Sequence, residues 1–156
     1  MKKITTLLVC AAMLCCFAAC AEKPEIPKID DIVGGVQIPN PFTEVDTMDA
    51  AAEKTGFSLA LPELENVVIR VMNDEMIEVI AKGEDEIRVR KAKGEDDISG
   101  DYNEYADVQN GEIATIKGND GVYNLAVWTA DGYTYAVSSE NGVTFEAMEA
   151  LVAAVK

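Results

Sequence analysis

The chain is 156 residues long, with 13 basic residues, 28 acidic residues, no histidine and a formal charge of −15. A field of that sign repels nucleic-acid phosphates and anionic headgroups, so nucleic acid is excluded as a partner; the acidity reads as solubility beside an anionic envelope. Without histidine, and with no thiol after residue 20, the chain lacks imidazole acid–base pairs, histidine-dependent triads and nearly every route to zinc.

In chain order, Lys2 and Lys3 precede an apolar run from Ile4 to Ala19. The run is short for a membrane span and ends in small residues, the pattern of a cleavable export signal. All four cysteines, Cys10, Cys15, Cys16 and Cys20, fall here, so no disulfide framework follows. Phe17-Ala18-Ala19-Cys20 resembles the lipobox of a bacterial lipoprotein, which makes residues 1–20 a signal peptide and Cys20 the lipid attachment site. Phe17 departs from the usual aliphatic residue. Ala19-Cys20-Ala21 is also a small-x-small pattern, so plain secretion stands as the alternative. Cleavage removes two lysines and no acidic residue, taking the charge from −15 to −17.

Residues 21–42 hold four of the five prolines and the Gly34-Gly35 pair, the composition of an extended tether reaching at most about 70 Å. Ile29, Ile32, Val33, Val36 and Ile38 are apolar for a linker. Residues 43–156 then read as one domain, long enough for a real core.

A short helix is predicted over 46–55, capped by Asp46 or Thr47 and ended by Gly56. Strands are predicted at about 66–72, 75–82, 86–92, 104–109, 112–117, 122–130 and 133–138, with turns at Asn73-Asp74, Gly83-Glu84-Asp85, Asn110-Gly111, Asn119-Asp120-Gly121 and Asp131-Gly132. Short connections make neighbouring strands antiparallel. A last helix over 144–155 places Phe145, Met148, Leu151, Val152 and Val155 on one face, with Glu146, Glu149 and Lys156 suiting its dipole. The fold class is α+β: a single antiparallel, largely meander sheet packed against a short N-terminal and a C-terminal helix.

Pairing arithmetic fixes two registers. A two-residue Asp131-Gly132 turn sets Trp128 against Tyr135 and Ala126 against Val137. A three-residue Asn73-Asp74-Glu75 loop sets Val71 against Ile77 and Ile69 against Val79; a two-residue turn would mix apolar and charged faces.

Three groups of residues are candidates for function. Six of the eleven basic residues after the leader lie between Arg70 and Lys93, with Arg88 and Arg90 sharing a strand face. They suit an anionic ligand, or they offset the acidic stretch that follows. In that stretch, Asp96, Asp97, Asp101 and Glu104 offer oxygens suited to calcium, but without helix–loop–helix spacing, so a solvated turn is favoured and no metal or cofactor is assigned. The aromatics Tyr123, Trp128, Tyr133 and Tyr135 would suit stacking on sugars or peptides where exposed, but Trp128 and Tyr135 read as core under one of the helices. The candidate binding surface is therefore Arg88, Arg90, Asp97, Asp101, Tyr102 and Tyr105. Acidic residues are so abundant that no carboxylate pair stands out as catalytic.

Several stretches carry a family resemblance: Asn40-Pro41-Phe42, Ala52 to Leu59, Glu86 to Ala92, Asp97 to Tyr102, Lys117 to Gly121 and Ala126 to Thr129. Together they resemble an uncharacterised Gram-positive family, a domain of unknown function of the 4367 type, over about residues 40–156. The resemblance implies exported, often lipid- or membrane-anchored proteins and brings no catalytic residue. The expected function is a membrane-tethered, extracytoplasmic, non-enzymatic binding module, with the membrane and an envelope protein or ligand as partners. The alternatives are a carrier of a lipid or hydrophobic ligand and a carboxylate-dependent wall-glycan hydrolase.

Overall fold

A computed structural model describes residues 40–156. The expected signal peptide, Cys20 and nearly all of the tether lie outside the described residues. The strands are β1 (Phe42–Val45), β2 (Val67–Met72), β3 (Met76–Lys82), β4 (Glu86–Lys93), β5 (Asp107–Asn110), β6 (Thr115–Asn119), β7 (Val122–Ala130) and β8 (Tyr133–Val143). Helix α1 (Met48–Thr55) follows β1, and α2 (Phe145–Ala154) closes the chain. All neighbours pair antiparallel in the order β1-β2-β3-β4-β8-β7-β6-β5. The fold is α+β, as expected. Two runs of sequential strands, β1–β4 and β5–β8, meet where β4 pairs with β8.

Both hairpin registers hold. Val71 faces Ile77 and Ile69 faces Val79. Ala126 faces Val137, and Trp128 faces Tyr135 with its ring stacked at 5.0 Å and 4°. Asp131 and Gly132 both have positive φ, the requirement of the two-residue turn whose twist matches the strands.

Alternation along these strands sends Val71, Ile77, Val79, Val89, Val137, Ala126 and Trp128 to one face, where they form the core with Ala51 of α1 and Met148 and Val152 of α2. The Thr47 hydroxyl caps α1 by accepting from the Ala50 N–H, and Gly56 ends it at φ 79°. Helix α1 packs on β1–β3, and α2 on β7 and β8. Lys91 is buried on this face: its Nζ donates to the Ser58 carbonyl at 2.8 Å and lies over the rings of Phe57, Tyr133 and Tyr135. It ties the segment after α1 to the sheet.

Four details differ from the sequence expectation. Phe42–Val45, divided between tether and loop, is an edge strand; four residues carry no readable period, and pairing with β2 supplies the order. The Asn110-Gly111 turn is wider: Gly111 donates to the Ala114 carbonyl, so β5 (from Asp107) ends at Asn110 and β6 begins only at Thr115. The carboxylate of Glu149, accepting from the Glu112 N–H at 3.1 Å, holds that loop against α2. Strand β8 runs on to Val143, past a register irregularity in β7 between Tyr123 and Leu125. Finally, α2 ends at Ala154 with no basic residue in its last turn, and Lys156 instead exchanges two backbone hydrogen bonds with Ala60.

The connection from β4 to β5, residues 94–106, is the one link that leaves the sequential path. It starts at the centre of the sheet, ends at its edge, and lies on the face opposite the helices.

Candidate functional site

The register that sends Ile77 and Val79 into the core sends Glu78 to the opposite face. Arg70, Glu78 and Arg90 then stand in one cross-strand row. The Glu78 side chain is fully buried. Its Oε1 accepts from Arg70 Nε at 2.8 Å and also from Arg70 Nη2. Its Oε2 accepts from Arg90 Nε at 2.7 Å, with Arg90 Nη2 also at 2.7 Å. A carboxylate taken out of water is tolerated only with such partners. Arg88, one pleat along, has its Nε 3.8 Å from the same oxygen and donates through Nη2 to Glu86 at 2.8 Å.

Arg90 has a second task. Its Nη1 donates to the carbonyls of Ile98 and Ser99 at 2.8 and 2.6 Å, which fastens the 94–106 crossover to the sheet. The next residue is Gly100, at φ 63°, and a Cβ there would stand 2.5 Å from that Nη1. Glycine is needed both for the left-handed backbone and for the close approach.

Beyond this clamp the crossover holds itself by a chain of local bonds. Asp97 accepts from the Ser99 N–H, the Ser99 hydroxyl from the Asp101 N–H, and Asp101 from the Asn103 N–H. The Tyr105 hydroxyl donates to Asp101 Oδ2 at 2.5 Å. The Asp97 carboxyl is held below its ordinary range, chiefly by the Ser99 N–H. Burial, and then the Asp101 carboxylate, push the Tyr105 phenol up to about 12.

Two grooves flank the crossover. A polar cleft of about 470 Å³ is lined by Glu86 and Arg88 of β4, Asn124 of β7, Ser138 and Ser139 of β8, Glu140, and Asp101, Asn103 and Tyr105. A second groove of about 450 Å³ has Phe42, Met72, Met76, Ile98 and Tyr102 as apolar lining, with Arg90, Asp97 and Asp101 beside them. Tyr102 stands between crossover and solvent, 97% exposed.

No family model, no curated protein and no solved structure matches this chain.

All six sequence-selected residues lie on this face. Arg88, Asp101 and Tyr105 line the polar cleft; Arg90, Asp97, Asp101 and Tyr102 line the other groove. Their roles divide. Arg90 is committed inward and exposed Asp97 to its local turn with Ser99, whereas Arg88 and Tyr102 retain reach toward solvent. Among the described residues, the ion pairs of Arg88 and Arg90 are with Glu78 and Glu86, not with the acidic stretch after β4. Sequence reasoning missed Glu78, Glu86, Asn124, Ser138 and Glu140. For Glu78 the signal was present, since the register that pairs Val71 with Ile77 necessarily pairs Arg70 with Glu78. For Ser138 and Glu140 there was none, because they join the site only through the β4–β8 pairing. Among the described residues no cluster of three or more carboxylate or other ligating side chains is placed to hold a metal ion.

Proposed function

We propose that this chain is an extracytoplasmic lipoprotein tethered through Cys20, whose domain is a non-enzymatic binding module working through the face of the sheet that carries the crossover. One observation carries the binding part: Tyr102 is 97% exposed on a segment that Arg90 fastens from beneath. A large aromatic side chain held out by rigid backbone, with a groove at its base, is the profile of a recognition residue on a scaffolded loop. The tethering part rests on the leader, Cys20 and the composition of residues 21–42, and it agrees with the Gram-positive family that the domain resembles.

The alternatives are less well supported. A hydrophobic-ligand carrier requires an enclosed apolar chamber, and both grooves are open at the surface. A glycan hydrolase requires a carboxylic acid kept protonated by apolar surroundings. In the polar cleft, Glu86 accepts from Arg88 and Asp101 accepts from Tyr105 and Asn103. Both carboxylates are thus taken up by partners of the fold and not left free to form an acid–nucleophile pair across a bound sugar.

Two measurements test the proposal. Envelopes probed with the wild-type chain and with Tyr102→Ala should yield a partner with the first and lose it with the second, at unchanged melting temperature. The same partners captured by both would defeat the surface assignment. For the anchor, a clickable fatty acid should label the wild-type chain and not Cys20→Ala. A wild-type chain that is unlabelled and soluble would establish plain secretion.

A further inference from the structure

The polar cleft carries an inference about ligand chemistry, and it rests on the binding reading above. Of the three arginines around Glu78, Arg88 is the one with a buried donor left without a partner among the described residues. Its Nη2 bonds to Glu86, but its Nε is buried and, among the described residues, has no hydrogen-bond partner. The nearest anionic oxygen, Glu78 Oε2 at 3.8 Å, is already taken by Arg90. The Arg88 side chain is also the most open of the three, at 35% exposure against 23% for Arg70 and 13% for Arg90. Unsatisfied guanidinium N–H groups in a native structure call for an acceptor. Arg88 lines the cleft, so an oxygen entering there lies on the side of its partly open guanidinium.

The rest of the lining restricts which oxygen that is. One guanidinium faces three carboxylates, Glu86, Asp101 and Glu140, so an anion meets net repulsion. Two of those carboxylates are engaged, Glu86 by Arg88 and Asp101 by Tyr105 and Asn103, which occupies their oxygens without removing the net negative charge, so trilysine and calcium are the competing ligands in the test. No metal cluster exists among the described residues. What the cleft offers instead is a mixed set of donors and acceptors: the Arg88 guanidinium, the Asn103 side-chain amide, the Ser138 hydroxyl and the Glu140 carboxylate; the Asn124 amide already donates to the Ser139 and Glu140 carbonyls. Adjacent hydroxyl groups, each both donor and acceptor, complement such a lining. A volume of about 470 Å³ is ample for a short saccharide and lies within the usual range of small-ligand sites.

We propose that the cleft between β4, β8 and the crossover binds a neutral, hydroxyl-rich ligand, that is, a saccharide, with Arg88 and Asn103 as donors and Glu140 as acceptor.

The test is a nuclear magnetic resonance titration of the full chain with maltose, cellobiose and N,N′-diacetylchitobiose, with glucuronate, trilysine and calcium chloride as controls. At least one neutral disaccharide should give saturable shifts confined to the cleft, the Arg88 Nε–H among them. Asn103→Ala should weaken that binding about tenfold, the loss expected for one or two hydrogen bonds to a ligand. Asn103 is exposed and its backbone N–H makes the turn bond, while its side chain reaches only the Tyr105 hydroxyl, so the melting temperature of this variant is measured beside its binding. Arg88→Lys, which keeps the charge near Glu78 but loses the fork, should weaken it further. Saturable shifts with trilysine, glucuronate or calcium alone, or none with any sugar up to roughly ten times a millimolar Kd, would overturn the assignment. If sugars fail while capture through Tyr102 succeeds, only the ligand class falls. If both fail, the binding reading falls with it.

Discussion

Removing the Glu78 side chain leaves Arg70 and Arg90 facing each other across a dry gap. Breaking one side of a buried ion pair costs about 3–5 kcal/mol, and Glu78→Ala should fall toward the lower end, because both arginines keep some access to water. Urea denaturation at neutral pH measures it; a loss under about 1 kcal/mol, typical of surface changes, would mean the row is not load-sharing. This row was legible in advance only as far as the first hairpin. Once Val71 was set against Ile77, Arg70 had to face Glu78, but burial of Glu78 depends on the crossover lying above it, which no local pattern announces. Trp128 shows the opposite case. Its pairing with Tyr135 and its burial, at 8% exposure, both follow from a two-residue turn and an aromatic pair. Trp128→Ala should cost about 3–5 kcal/mol in the same assay. Tyr105 adds a pH dependence. Its phenol ionises near 10 in the unfolded chain and at about 12 when folded, so its stabilising contribution is complete below pH 10 and is lost as pH rises from about 10 to 12. Following phenolate absorbance and stability across that window should show a steeper decline in the wild type than in Tyr105→Phe.

Among the elements, the crossover departs furthest from its sequence appearance. Its start at Gly94 and its acidic run read as a solvated turn, and residues 104–106 read as the start of a strand. The structure makes it a fastened strap instead, because Arg90 reaches its carbonyls. The long side chain of Arg90 is tied to a strand position whose partner lies twelve residues upstream, a relation that neither periodicity nor turn chemistry encodes. The short edge strand β1 was missed for a related reason: it has order only because β2 is beside it. By contrast, β2, β3, β4 and β7 and both helices lie within a residue or two of expectation, since each carries its own alternation or cap. The strap gives a sharp prediction at Gly100. Alanine there meets both a left-handed backbone and the Arg90 guanidinium, so Gly100→Ala should destabilise by about 1–3 kcal/mol. It should also raise amide exchange at residues 98–103 well above that of the core strands. Unchanged exchange would mean the strap is not held at that point.

Across the whole molecule, the two strand runs are joined by one pairing of large sequence separation, β4 with β8, in which Val89 faces Val137. Each run builds from local turns, whereas the central pairing must close a long loop, which is the slow step in folds of this kind. Val137→Ala removes buried methyl groups at the seam and should slow refolding while leaving unfolding nearly unchanged; a loss carried by faster unfolding instead would place the seam after the transition state. Stopped-flow kinetics in urea separates the two limbs, and a refolding rate that absorbs most of the stability loss would put the seam inside the nucleus. The seam also explains why the site was only half visible. Strand order decides which side chains share the cleft, and strand order is a long-range property.

The placement of β1 has a mechanical consequence. If the tether is anchored, tension in it enters the domain at Phe42, the outermost residue pair of the sheet's edge. Antiparallel pairs pulled outward from one end open in succession, from Phe42 and Met72 toward Val45 and Ile69, so the resisting force is that of one pair at a time. The first contact to yield is the stacking of the Arg70 guanidinium on the Phe42 ring, at 4.8 Å. That ring is also a wall of the groove below Tyr102. Under that condition a modest pull would remodel this groove while the β2–β8 body and its core stayed closed.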